Sequence, residues 1–211
     1  MGSDLSDFCV QSLENGHESS MMELHLPNHG ELGMAGIDES LTFYPINIAV
    51  LTVSDKRDKA TDTAGGLLAE RVQTAGHSLV DHLVVKAEIE PIQATIKRWA
   101  AEPGVDVILI TGGTGFAPRD VTPEAVKPLF NREMDGFAAI FHQVSFKTVG
   151  VSTLQSRAVA GQIEDTFVFC VPGSPGACRD AWDNVFAFEL NSQFRPCSLV
   201  GQIARYRGLC S

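Results

Sequence analysis

Two glycine-rich segments carry the residue types best suited to holding an anion. The first is Thr111-Gly112-Gly113-Thr114-Gly115. Glycines let a backbone come close to a ligand and let successive amides point the same way, which makes an anion nest. The threonine hydroxyls can add donors. No Gly-Lys-Ser/Thr follows, so this is not a Walker A loop, and it is not Gly-x-Gly-x-x-Gly either. A tight structural turn is the rival reading of the same residues. The second segment is Pro172-Gly173-Ser174-Pro175-Gly176, where Ser174 stands ahead of a helix and forms a further candidate anion site.

Asp120 follows Gly115 by five residues. A carboxylate beside a phosphate nest is repelled unless a cation lies between them. Mg2+ typically takes one or two carboxylates plus phosphate oxygens, which makes Asp120 a candidate Mg2+ anchor. A helix-start acid favoured by the dipole is the alternative. Arg119 can pair with phosphate or remain solvated. Ser152-Thr153-Leu154-Gln155-Ser156-Arg157 gathers three hydroxyls and a guanidinium within six residues, a set able to grip a second phosphate. Ser/Thr clusters also cap helices, so this set is weak on its own. No Gly-x-Ser-x-Gly and no His/Cys ligand set is present. The chemistry suggested is positioning and charge neutralisation of a phosphoryl group, with little covalent work by the protein.

The elements that must position these groups follow from hydrophobic periodicity. Ile46–Val53, Leu79–Val85, Val105–Thr111 and Thr166–Val171 are short apolar, β-rich runs, as buried parallel strands are. Leu67, Leu68, Val72 and Ala75 recur at helical spacing before Gly76, a natural C-cap. Helices are predicted over Ile89–Ala101, from Thr122 (as N-cap, with Pro123 at the first helical position), over Gly136–Val144 and over Ala177–Leu190. Trp99 and Trp182 fall on apolar faces and read as core. Strands alternating with helices imply an α/β fold, a mostly parallel sheet covered on both faces. Ligands of such sheets bind outside the carboxyl ends of the strands, so both glycine loops can face one ligand.

Residues 1–43 lack any sustained period and read as a flexible extension, and 44–211 as one domain. His25 and His29 are separated by Pro27 and read as solvated. Met21, Met22 and Met34 are alternative start sites. Met1-Gly2-Ser3-Asp4-Leu5-Ser6 fits the loose myristoylation pattern incidentally. With 16 basic and 26 acidic side chains the net charge is −10, a sign that argues against nucleic acid as partner. The five cysteines are odd in number and form no Cys-x-x-Cys pair, which points to a reducing, cytoplasmic compartment. No apolar run approaches a membrane span, and no secretory signal is evident.

Four ordered motifs together resemble the MoaB/MogA family of molybdenum cofactor biosynthesis proteins, and MoaB in particular. They are Thr111–Gly115, Arg119-Asp120-Val121-Thr122-Pro123-Glu124, Ser152–Arg157 and Pro172-Gly173-Ser174-Pro175-Gly176-Ala177. The Ile48–Ser54 strand and Arg195-Pro196-Cys197 look similar too, so the likeness runs from about Ile46 to Pro196. The resemblance implies a three-layer α/β/α sandwich of the molybdopterin-binding-domain type that self-associates as a trimer or hexamer. It implies molybdopterin and ATP as substrates, Mg2+ as cofactor, adenylylation of molybdopterin and release of pyrophosphate. By that analogy Gly112, Gly113, Thr114 and Gly115 hold nucleotide phosphate, and Asp120 holds the metal. Ser152, Ser156, Arg157, Gly173 and Ser174 line the ligand cleft. Active relatives carry an acid at or beside Ala87-Glu88, so Glu88 joins Asp120 as a catalytic candidate, one position late. Asp62-Thr63-Ala64-Gly65 lacks the serine of Asp-x-Ser-Gly and with it a candidate phosphate donor. These departures keep a non-catalytic pterin- or nucleotide-binding assembly protein as the alternative. A nucleotide-hydrolysing relative of the CinA type is a third reading.

Overall fold

The computed structural model describes residues 35–206. The expectations for residues 1–34, with Cys9, His25, His29, the acylation pattern and the alternative start sites, lie outside the described residues. So does Cys210. The described chain forms two compact units, one of residues 46–187 and one combining 35–45 with 188–206.

The larger unit is built on a six-stranded sheet. Its strands are β2 (Asn47–Val53), β3 (Ser78–Val85), β4 (Val107–Thr111), β5 (Arg132–Glu133), β6 (Val159–Ile163) and β7 (Thr166–Val171). They lie in the order β3-β2-β4-β7-β6-β5. The first four are mutually parallel, while β6 runs antiparallel to β7 and β5 antiparallel to β6. The sheet is thus mostly parallel, as the alternating pattern implied.

Period-two alternation divides the strand side chains between two covered faces. Ala49, Leu51 and Val53 of β2, Ile108 and Ile110 of β4, and Val168 and Cys170 of β7 form one core cluster. Ile92, Ile96 and Trp99 of helix α2 (Ile89–Ala101) and Ala125 and Val126 of helix α3 (Thr122–Val126) complete it. The opposite face carries Phe169, whose ring meets Phe137 of helix α4 (Asp135–Val149) and Phe186 edge-on at 5.1 and 5.2 Å. Helix α1 (Thr63–Thr74) and helix α5 (Pro175–Ala181) cover that face as well: Gly65 of α1 lies against Thr52 of β2, and Cys178 of α5 meets the Thr111 hydroxyl at 3.1 Å. Trp99 is 1% exposed and donates its indole N–H to Asp81, so it is core, as its spacing suggested.

Three local readings change. Helix α1 begins at Thr63, not near Leu67, because Asp62 caps it by accepting from the Gly65 amide at 2.9 Å. Thr122 is not an N-cap. It is the first helical residue of α3, its hydroxyl donates to the Gly112 carbonyl at 2.7 Å, and Pro123 follows it. Helix α4 continues to Val149, five residues beyond the predicted end.

In the smaller unit β1 (Gly36–Ile37) pairs antiparallel with β8 (Phe194–Arg195). Residues 36–43, assigned from sequence to the extension, contribute here. Asp38 donates its amide to Gln193, and the Gln193 side chain donates to the Leu41 carbonyl at 2.6 Å. Helix α6 spans Leu199–Tyr206. Among the described residues no helix is long and apolar enough to cross a membrane.

Candidate functional site

Register brings the glycine loops together. Thr52 pairs with Thr111 and Thr111 with Val171, so β2, β4 and β7 end level with one another. The loops after β4 and β7 then touch: a methyl added at Gly173 would stand 3.0 Å from the Gly112 α-carbon. Gly112 and Gly113 adopt φ of +100° and +65°, a region side-chain-bearing residues rarely enter. A methyl at Gly112 would also lie 2.3 Å from the Val53 carbonyl oxygen.

The loop's carbonyls face away from the opening. Thr122 binds the Gly112 and Gly113 carbonyls, and Arg157 binds those of Thr114 (2.9 Å, from its amide) and Gly115 (2.8 Å, from Nε). The amides of Gly113, Thr114 and Gly115 donate to no acceptor among the described residues. All three residues line a cavity of about 600 Å³. Its other walls come from Asp120, from α4 (Ser145, Thr148, Val149), from the turn over 150–155 and Ser156, and from the start of α5.

The predicted site residues fall into two groups. Gly112, Gly113, Thr114, Gly115, Asp120, Ser152, Ser156, Gly173 and Ser174 all line this cavity. Among the described residues the Ser156 hydroxyl is buried without a hydrogen-bond partner, and so is that of Thr153 on the same turn. A buried unpaired hydroxyl is destabilising unless a ligand or water satisfies it, so both point to an occupant. Ser174 also caps α5 by accepting from the Ala177 amide at 3.1 Å.

Arg157 and Glu88 do not line the cavity. Arg157 stands behind the loop, where Nη2 donates to the Asp120 carbonyl at 2.6 Å and Nη1 pairs with Glu124. That pairing holds the Glu124 carboxyl below its ordinary range. The guanidinium is consumed in pinning the loop and is not a free phosphate clamp. Glu88 precedes α2 and pairs with Arg119 at 3.2 Å. Arg119 also grips both oxygens of Asp55 at 2.7 and 2.8 Å, and this holds the Asp55 carboxyl down at about 2. Both predicted cations are therefore engaged by protein. Ala64, at the position of the family's serine, is 1% exposed and does not line the cavity.

Asp120 fits a cation. Its Oδ2 accepts from the Ala117 amide at 2.9 Å, and Oδ1 has no donor among the described residues. Among the described residues no group of three or more His, Cys, Asp or Glu side chains could hold a metal by itself. Any ion here would need oxygens from a ligand, as Mg2+ at phosphate sites does.

Ser145, Thr148, Arg179 and Asp180, which no sequence motif marked, also line this cavity. Their signal is helical: Gly176, Ala177, Arg179 and Asp180 share one face of α5 at three- and four-residue spacing.

A doubly wound sheet whose adjacent glycine loops border a cavity defines an α/β protein with a candidate ligand site at its strand ends. The family described as "Probable molybdopterin binding domain" matches residues 49–192, and the chain belongs to it. It is 48% identical over 159 residues to molybdenum cofactor biosynthesis protein B of Escherichia coli (strain K12), covering 75% of this chain and 94% of the relative. A crystal structure of molybdenum cofactor biosynthesis protein B superposes with a TM-score of 0.69 at 36% identity, over 79% of this chain and 96% of that one. The tungsten cofactor synthesizing protein MoaB from Pyrococcus furiosus follows at 0.63 and 33%, over 69% and 92%.

Proposed function

We propose that this protein acts in molybdenum cofactor biosynthesis, binding molybdopterin and ATP–Mg2+ in the cavity and adenylylating molybdopterin. The observation that carries the reading is the run of three amides, Gly113 to Gly115, with no acceptor among the described residues, in residues that line that cavity. Such a nest holds phosphate oxygens without net positive charge, which suits a chain of net charge −10.

In the reaction, a terminal phosphate oxygen of the pterin attacks the α-phosphorus of ATP. The bond to the β-phosphate oxygen breaks, and pyrophosphate leaves. The loop amides bind phosphate, and the hydroxyls of Ser152, Thr153 and Ser156 orient the second anionic group. Asp120 would hold Mg2+, which supplies neutralisation of charge on the phosphate oxygens. Holding both reactants in one cavity converts a bimolecular step into a local one, the main contribution a protein makes to phosphoryl chemistry.

The ion pairing of Glu88 with Arg119, outside the cavity, favours a second reading, a non-catalytic binder of pterin and nucleotide. Pyrophosphate release from ATP and Mg2+ separates the two. Release that depends on molybdopterin supports the transferase. Calorimetric binding of both ligands without release supports the binder.

Self-association as a trimer or hexamer is part of the proposal. Ile140, Phe146 and Val149 of α4 and Val151 and Leu154 beyond it are 52–77% exposed, a run of apolar side chains that a partner copy would cover. Light scattering measures the mass. The buried free thiols Cys170 and Cys178 suit a cytoplasmic setting. Burial pushes the Cys178 thiol up to about 11 and makes it unreactive.

A further inference from the structure

The cavity has a second carboxylate that the phosphate chemistry does not use. Asp180 lines the wall built by α4 and α5. Its Oδ2 lies 2.6 Å from the Thr148 hydroxyl, which is also 2.9 Å from the Ser145 carbonyl. A hydroxyl has one proton, and the carboxylate is the stronger acceptor, so Thr148 orients Asp180. No cation lies within ion-pair distance of Asp180 among the described residues. Among the described residues Oδ1 has no donor, and Oδ2 retains acceptor capacity.

This placement differs from the donor-lined part of the cavity. The loop amides and the Ser152, Thr153 and Ser156 hydroxyls offer donors to an anion. Asp180 is acceptor-only and would repel phosphate. Its natural complement is a planar group with two adjacent N–H donors, which meets both oxygens of a carboxylate at once. Gly176 and Ala177 leave the adjoining surface of α5 low, and Val53, Val149 and Pro172 give the cavity apolar wall against which a flat ring can lie. A methyl at Gly176 would meet nothing within 4 Å, so that space is open.

We propose that Asp180, oriented by Thr148, is the specificity-determining residue of the cavity and accepts the paired N–H donors of a 2-amino-4-oxopyrimidine edge, while the glycine loop takes the ligand's phosphate. The inference rests on the pterin-phosphate reading above and names the part of the ligand that the second carboxylate reads. A 2,4-dioxo ring presents a carbonyl oxygen where the amino group stood, so it sets acceptor against acceptor. Wrongly paired groups of this kind change affinity by roughly 10- to 100-fold.

The test uses the full chain and three probes: 6-hydroxymethylpterin phosphate, its 2,4-dioxo (lumazine) counterpart and inorganic pyrophosphate. Affinities are read from pteridine fluorescence and calorimetry. The wild type prefers the pterin over the lumazine by roughly 10-fold or more. Asp180→Asn keeps an acceptor for Thr148 but removes the charge and one acceptor. It loses that preference and leaves pyrophosphate affinity unchanged. Thr148→Val, which keeps the carboxylate and frees its orientation, reduces the preference by a smaller factor. A merely structural Asp180 would change the thermal midpoint and leave the preference intact. Equal wild-type affinity for the two pteridines, or an undiminished preference in Asp180→Asn, overturns the assignment while the pterin reading stands. Wild type that binds pyrophosphate but neither pteridine overturns the pterin reading itself and this assignment with it.

Discussion

Replacing Arg157 by lysine should uncouple the glycine loop from its support without touching the cavity. The arginine fork reaches the Gly115 carbonyl at 2.8 Å, the Asp120 carbonyl at 2.6 Å and Glu124, and it stands 5.2 Å from the Phe116 ring. A lysine keeps the charge but brings one nitrogen in place of three, so at least one of the two carbonyls loses its donor. Hydrogen bonds from a charged donor contribute about 1.5–3 kcal/mol each when sheltered. The Arg157 side chain is only 26% exposed, whereas Glu124 is 49% exposed and its pairing adds little. The sum is a loss of about 2–3 kcal/mol in Arg157→Lys. Urea unfolding followed by circular dichroism would read it as a lower midpoint at unchanged slope. Ligand affinity should fall too, because the free amides depend on the pinned carbonyls behind them. A variant within about 0.5 kcal/mol of wild type, with unaltered phosphate affinity, would refute the claim that Arg157 holds the loop.

Three further outcomes follow from other contacts. Ser156→Ala removes a buried hydroxyl that has no partner among the described residues. It should leave the unliganded protein as stable or up to about 1 kcal/mol more stable, and weaken ligand binding by up to about 10-fold, both readable by calorimetry. Asp120→Ala gives up one accepted amide bond, about 1 kcal/mol, so it should fold normally and lose Mg2+-dependent pyrophosphate release. Burial holds the His77 imidazole down at about 4. The folded state therefore refuses a proton that the unfolded state accepts near 6.5. Stability should be full above that value and fall by about 3 kcal/mol as pH drops from 6.5 to 4. His77→Gln should flatten that part of the profile in pH-dependent urea titrations.

The parallel core was legible because β2, β4 and β7 are buried on both faces and so read as unbroken apolar runs. Strand β6 was not, since Gly161 and Gln162 interrupt its apolar pattern. Gly161 is there because a methyl would lie 2.6 Å from the Phe130 ring, a contact no local pattern announces. The onset of α1 was missed for a similar reason. Gly65 and Gly66 look like helix breakers, yet a methyl at Gly65 would lie 2.2 Å from both Asp62 and Thr52. In the site, the glycine loops and Asp120 declared themselves by residue type. The directions of Arg157 and Glu88 were not legible, because a charged side chain's type does not say which way it points: one turns to the loop's back, the other to Arg119. Asp180 stayed hidden because nothing marks which face of a short helix borders a cavity until β7 and α4 are in place around it.

The most direct test of the central claim is the amide resonances of Gly113, Thr114 and Gly115 in isotope-labelled protein titrated with molybdopterin. These three amides should shift together and saturate with the ligand, as donors do when they gain an anionic acceptor. Saturating shifts confined to another surface, such as the basic hollow beside Arg57, Lys59 and Lys86, with the loop amides unmoved, would contradict it.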